Sequence, residues 1–186
     1  MSILPQITLN SIIAGAIYAL IALGFNFIYG ATKFFNLAHG ALATVGGYTV
    51  FFIIHTLGWN LYLAVMIGVV FAGVVGYGLD KIIFLPLRKR KATNMVLLVA
   101  SLGAASVIQA VIAILFGTPF YTLTQASPKI VDVFGGAITQ TQLAILFSSI
   151  VITSLLILMV NNTLFGKAVK AISDDEEVAR VIGIHT

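Results

Sequence analysis

The sequence predicts an all-α, polytopic transmembrane bundle of about five spans. Its second span is expected to be broken or re-entrant, and a short amphipathic cytoplasmic helix should lie near its end. Three observations carry this. Of the 186 residues, 60% are hydrophobic and only 9% charged, with a mean hydropathy of +1.09, whereas a soluble domain carries about 25% charged residues. Five apolar stretches reach or approach the roughly 20 residues that cross about 30 Å of hydrocarbon. The basic residues cluster between those stretches on one side.

Taken in order, residues 7–29 form a charge-free first span. The start, MSILPQ, lacks a basic n-region, so this span is read as a retained helix and not as a cleaved signal peptide. Residues 41–57 are apolar but shorter and contain Gly46-Gly47, which marks the second span as a candidate break. Residues 61–79, 95–116 and 143–160 complete the set. The stretch 118–142 holds two prolines and a Gly-Gly pair and reads as a long polar loop. Loops of that length are often functional; it is either a docking element for an external partner or a plain connection.

Lys and Arg accumulate in cytoplasmic loops. With five spans, Lys33, Lys81, Arg88, Lys89, Arg90, Lys91, Lys167, Lys170 and Arg180 fall on one side and Lys129 alone on the other. The N-terminus is then external and the tail cytoplasmic. A sixth or missing span would destroy this segregation. The RKRK run is thereby a topology determinant, and no nucleic-acid partner is expected from the net charge of +4. Cysteine is absent, which excludes a disulfide framework and a thiolate metal site. No cofactor or metal is expected.

Gly68, Ala72 and Gly76 recur every fourth residue on the third span. Small residues at this spacing let a second helix approach closely, which substitutes for the missing hydrophobic drive between helices in lipid. Asp80 continues the stripe beside Lys81 near the cytoplasmic end and reads as structural or interfacial. Asn10, Asn26 and Gln109 are uncharged amides available to bond neighbouring helices. No pair of ionisable residues lies mid-span, which argues against a proton- or sodium-coupled path.

Two constellations stand out. In FFNLAHGALATVGGY, residues 34–48, polar Asn36 and His39 are followed by Gly40, Gly46, Gly47 and Tyr48. One reading is a discontinuous helix beside a translocation path, since irregular backbone at depth is tolerated where it lines a cavity. The other is a cytoplasmic turn whose His faces water or caps a helix. In SDDEEVARVIGI, residues 173–184, Ser173 and Glu176 fit a capping box. Asp174, Asp175 and Glu176 then lie at the positive end of the helix dipole. Val178, Val181 and Ile182 share a face, and Gly183 can end the helix.

Together these features resemble the permeases of branched-chain amino acid ABC importers. Such permeases carry an N-F/L-A-H-G motif followed by Gly and Tyr, here Asn36-Leu37-Ala38-His39-Gly40 and then Gly47-Tyr48. They also carry a cytoplasmic E-A-A-x3-G loop that docks into the ATPase. Glu177, Ala179 and Gly183 fit it, with Val178 in place of the first alanine. The similarity covers essentially the whole chain. It implies one permease domain over 1–186, with 161–186 as the cytoplasmic coupling loop and a coupling helix of Ser173, Glu176, Glu177, Ala179 and Gly183. The implied location is the bacterial inner membrane, surrounded by lipid. The implied partners are cytosolic ATP-binding subunits, a second permease and a periplasmic substrate-binding protein. Because such permeases have further spans after the coupling loop, the chain is expected to be the N-terminal part of one, or one piece of a split one.

Other readings are weaker. Urea and short-chain amide importers have similar permeases, and a structural or assembly subunit without a path of its own needs the same spans. An intramembrane enzyme would pair His39 with Ser101 as base and nucleophile, but no H-E-x-x-H accompanies them. The chain has no G-x4-G-K-[ST] phosphate loop, so ATP hydrolysis is expected in another subunit.

Overall fold

The computed structural model describes residues 3–117, 130–133 and 136–174. Five helical stretches are long and apolar enough to cross a membrane: Ile3–Thr32, Ala38–Leu57, Leu61–Lys89, Asn94–Phe116 and Gln140–Asn162. They bear out the all-α polytopic class and the count of five. The chain divides into two compact units, one of residues 34–124 and one combining 1–33 with 125–186.

In the 34–124 unit, α2 (Ala38–Leu57) and α3 (Leu61–Leu79) form an antiparallel pair. Gly58, at φ 66°, ends α2 by donating its N–H to the Ile54 carbonyl. The Asn60 side chain then caps α3 by accepting from the Tyr62 N–H. This turn fixes the α2–α3 hairpin. α3 does not stop at its last apolar residue. It runs through a π-helical segment, Asp80–Phe84, into α4 (Leu85–Lys89). The whole stretch of 29 residues is about 43 Å long at 1.5 Å per residue, longer than the hydrocarbon core. Its charged end, where Asp80 and Arg88 form an ion pair, thus extends beyond the hydrocarbon. α5 (Asn94–Phe116) packs against α2. Phe34, Phe84 and Leu97 form a buried cluster, with Leu79, Ile83 and Leu87 around it.

The second span is not broken. α2 is one uninterrupted helix through Gly46-Gly47. Glycine inside a helix costs only about 0.5–1 kcal/mol relative to Ala, whereas freeing backbone groups in hydrocarbon costs several times that. The helix therefore persists, and Gly46 supplies close packing instead.

In the other unit, α1 (Ile3–Thr32) and α6 (Gln140–Asn162) pack together. The stretch expected as a long polar loop contains an antiparallel hairpin, β1 (Ile130–Val133) with β2 (Gly136–Thr139), in the register Val131 opposite Ile138. Gln6 near the start of α1 clamps it: its amide nitrogen donates to the Ala137 carbonyl at 3.1 Å, and its oxygen accepts the Ala137 N–H at 2.8 Å. Thr139 and Gln142 form a reciprocal capping box that starts α6.

Candidate functional site

The turn before α2 is built to start a helix inside the bundle. The first amides of a helix lack intrahelical acceptors, and each of the three here finds one. The Leu37 N–H donates to the Ser101 hydroxyl at 3.0 Å, the Ala38 N–H to the Asn36 side-chain oxygen at 3.1 Å, and the His39 N–H to the Asn36 carbonyl at 3.3 Å. Ser101 is fully buried; its own proton serves the Leu98 carbonyl at 2.7 Å, with the Phe35 carbonyl at 3.3 Å as a second acceptor. Phe34 anchors the turn on Phe84, ring centroids 5.2 Å apart. Since Ser101 is seven residues beyond the start of α5, α2 begins about 10 Å along its neighbour. The irregular backbone that the sequence suggested at Gly46-Gly47 is instead a recessed helix start at Asn36-Leu37.

From that start, α2 carries different chemistry on different sides. Toward α3 lie Gly46 and its neighbours. A Cβ on Gly68 would meet Val50 Cγ2 at 2.7 Å and the Gly46 carbonyl at 3.0 Å, and one on Gly76 would meet Leu42 Cδ1 at 3.2 Å. The Ala72 Cβ lies against Gly46. Gly40 and Gly47 have nothing within 4 Å of a Cβ position; they face open space. Tyr48 stacks at an angle on Phe116, centroids 4.9 Å apart, and Phe51 and Phe52 reach the same ring edge-on at 6.4 Å. Below these aromatics a cleft of about 280 Å³ is lined by Thr44, Tyr48, Gln109, Ile112, Ala113 and Gly117.

His39 is half-buried and shares no hydrogen bond with Ser101 among the described residues, so the hydroxyl acts as a helix cap and not as a nucleophile. Its burial in an apolar span was a signal available from the sequence. Thr44 and the pairing of Gln109 with α2 had none, because they depend on which faces meet.

α7 (Leu164–Asp174) changes the reading of the tail. Ser173 lies within α7, and Glu176, its expected capping partner, lies outside the described residues. Thr163 takes the capping role, its hydroxyl accepting the Gly166 N–H at 3.0 Å. A Cβ on Gly166 would meet the Val160 backbone at 2.4 Å, so only glycine lets α7 fold back this tightly on α6. Phe165 meets Phe27 of α1 at 6.3 Å. At the other end, Lys33, held at φ 56°, donates from its ammonium to the Ser173 carbonyl. Ser173 Oγ also lies 3.5 Å from the Cβ position of Gly30. Glu176, Glu177, Ala179 and Gly183 lie outside the described residues.

Spans of this number and polarity define a multi-pass membrane protein of the helical-bundle class. The chain belongs to the family described as branched-chain amino acid transport system / permease component, which it matches over residues 7–186. It is 27% identical to the high-affinity branched-chain amino acid transport system permease protein LivH of Escherichia coli K12, over 95% of this chain and 61% of that protein. LivH of Salmonella typhimurium gives the same identity and coverage. BraD of Pseudomonas aeruginosa, a permease of the same description, is 24% identical over 97% of this chain and 62% of its own length. The chain thus spans about three fifths of these relatives. No solved structure matches. Family and apolar spans together place the chain in the bacterial inner membrane.

Proposed function

We propose that this chain is a membrane-spanning permease subunit, or the N-terminal part of one, of an ATP-binding-cassette importer for branched-chain amino acids. The family match over residues 7–186 carries this reading. The capped, recessed start of α2 at Asn36-Leu37-Ala38-His39-Gly40 supports it, because it puts the chain's most characteristic motif inside the bundle beside an open helix face. The working assembly contains a second permease, cytosolic ATP-binding subunits and a periplasmic substrate-binding protein.

In this reading residues 1–186 act as one permease domain and 161–186 as its coupling loop, with Ser173, Glu176, Glu177, Ala179 and Gly183 meeting the ATPase. Closure of the ATPases displaces that segment, and α7 hands the motion to α1 through Lys33, Gly30 and the Phe27–Phe165 contact. Asn36, His39, Gly40, Gly47 and Tyr48 lie along the path, while Gly46, Gly68, Ala72 and Gly76 hold the α2–α3 seam.

The test is copurification and uptake. Tagged chain, coexpressed with the subunits encoded beside it, retains an ATP-binding subunit and confers ATP-dependent leucine uptake. Replacing Glu177 and Gly183 together abolishes both. Retained ATPase binding by that double variant removes the coupling role, and uptake of urea or acetamide in place of leucine reassigns the substrate.

A further inference from the structure

The α2–α5 cleft combines three features that no packing role accounts for. The first is depth. Tyr48 is ten residues from the start of α2 and nine from its end, hence near the bilayer midplane. Leu37 is level with Ser101, so Gln109, eight residues further on, is level with Val45, beside Thr44 and Tyr48.

The second feature is unspent hydrogen-bonding capacity. Thr44 gives its proton to the Gly40 carbonyl at 3.1 Å and keeps its acceptor sites. Gln109 makes no hydrogen bond among the described residues. A primary amide at mid-span is unfavourable unless something bonds to it. Several hydroxyls at depth do find partners: Ser101, Ser106, Thr49 and Ser149 each bond a backbone carbonyl.

The third feature is the composition of the walls. Beside Gln109, on the same face of α5 at i+3 and i+4, stand Ile112 and Ala113, and the aromatic cluster around Phe116 closes the outer end. Gly40 and Gly47 leave the approach along α2 unobstructed. A volume of about 280 Å³ is at or just below the small end of the roughly 300–1,000 Å³ typical of ligand pockets.

We propose that this cleft is the point at which the permease recognises its solute in transit, Gln109 binding the main-chain end of an α-amino acid and Ile112 and Ala113 its branched aliphatic side chain. A zwitterion needs a donor for its carboxylate and an acceptor for its ammonium. One amide offers both, and Thr44 and Tyr48 flank it. The absence of a formal charge in the cleft suits passage, because a fixed carboxylate or ammonium there would hold the solute too firmly to release it. Solute sites near the bilayer midplane are a general arrangement in transporters. This subsite rests on the transport reading above, and the test separates the two.

Initial rates of leucine uptake are measured for the chain expressed with its companion subunits, as wild type, Gln109→Leu, and Val107→Leu on the exposed side of α5. Gln109→Leu raises KM for leucine about tenfold or more at similar Vmax, as expected for loss of a solute hydrogen bond that serves ground and transition states alike; Val107→Leu leaves KM unchanged. A wild-type KM in Gln109→Leu, alongside measurable wild-type uptake, overturns the subsite and leaves the transport function standing. If wild type takes up no leucine, the transport reading falls. The subsite is then decided on purified chain in nanodiscs with a diazirine analogue of leucine. Adducts within 44–48 or 109–117 that excess leucine suppresses support it, and adducts elsewhere or none overturn it.

Discussion

α2 meets two neighbours in opposite ways. Its seam with α3 is closed by glycine: Gly46 and Gly68 bring backbone within reach of backbone, and Gly76 admits Leu42. Its seam with α5 carries the Ser101 hydroxyl on the Leu37 amide at one end and Phe116 among Tyr48, Phe51 and Phe52 at the other, with a cleft lined by Thr44 and Gln109 along it. In lipid no hydrophobic force pulls helices together, so contact must be made by shape or by polar bonds. Shape gives a rigid seam along its length. A polar bond and a ring cluster leave a seam with room in it, the feature on which the proposed solute subsite rests. Adjacent glycines divide between the two: Gly46 is spent on approach, while Gly47 faces the open side.

Breaking the tight seam has the largest expected effect. Gly68→Leu drives a side chain into Val50 and the Gly46 carbonyl and should cost about 3 kcal/mol, the upper end of ordinary overpacking. Denaturation of the purified chain in detergent will show it as a large loss of folded protein; a wild-type midpoint would refute the seam. Next comes the pin of the loose seam. Ser101→Ala strands the part-buried Leu37 amide, a loss of about 1 kcal/mol. The same denaturation assay measures this, and faster amide exchange at residues 37–39 should accompany it. Asn36→Ala removes the cap on Ala38 for about 1 kcal/mol, whereas Asn36→Asp should keep most of that stability; equal losses in the two variants would mean the cap contributes nothing. The smallest effect belongs to Gly47→Ala. With nothing within 4 Å of its Cβ and better helix propensity, it should be neutral or stabilising by up to about 1 kcal/mol. A marked destabilisation would show that a neighbour covers this face.

Much of the fold was legible because it follows from solvent. Residues 7–29 and 95–116 must be helices if they cross lipid, since no other single segment satisfies its own backbone there. The structure extends them to Ile3–Thr32 and Asn94–Phe116. The extra turns of α1, and the run of α3 on into α4, were less visible, because polar and basic residues such as Thr32 and Arg88 are compatible with a helix leaving the membrane as well as with a loop. Gly46-Gly47 was misread as a break because glycine serves both bending and close approach, and one strand of sequence does not say which. Ser173 with Glu176 matched a capping box by spacing; Thr163, ten residues upstream, caps the helix that contains Ser173, and Glu176 lies outside the described residues. The hairpin at Ile130–Thr139 was hidden by its shortness, and its clamp on Gln6 spans 131 residues.

By itself, then, the sequence determined the solvent, the number of spans and the family motif. Those properties are sums over local residues or fixed spacings. The tertiary structure alone decided that α2 starts recessed on Ser101, which side of it α3 occupies, and that Gln109 shares a cleft with Thr44 and Tyr48. Each of these joins residues far apart in the chain, and a helix's period says only that it has faces, not which neighbour each face will meet.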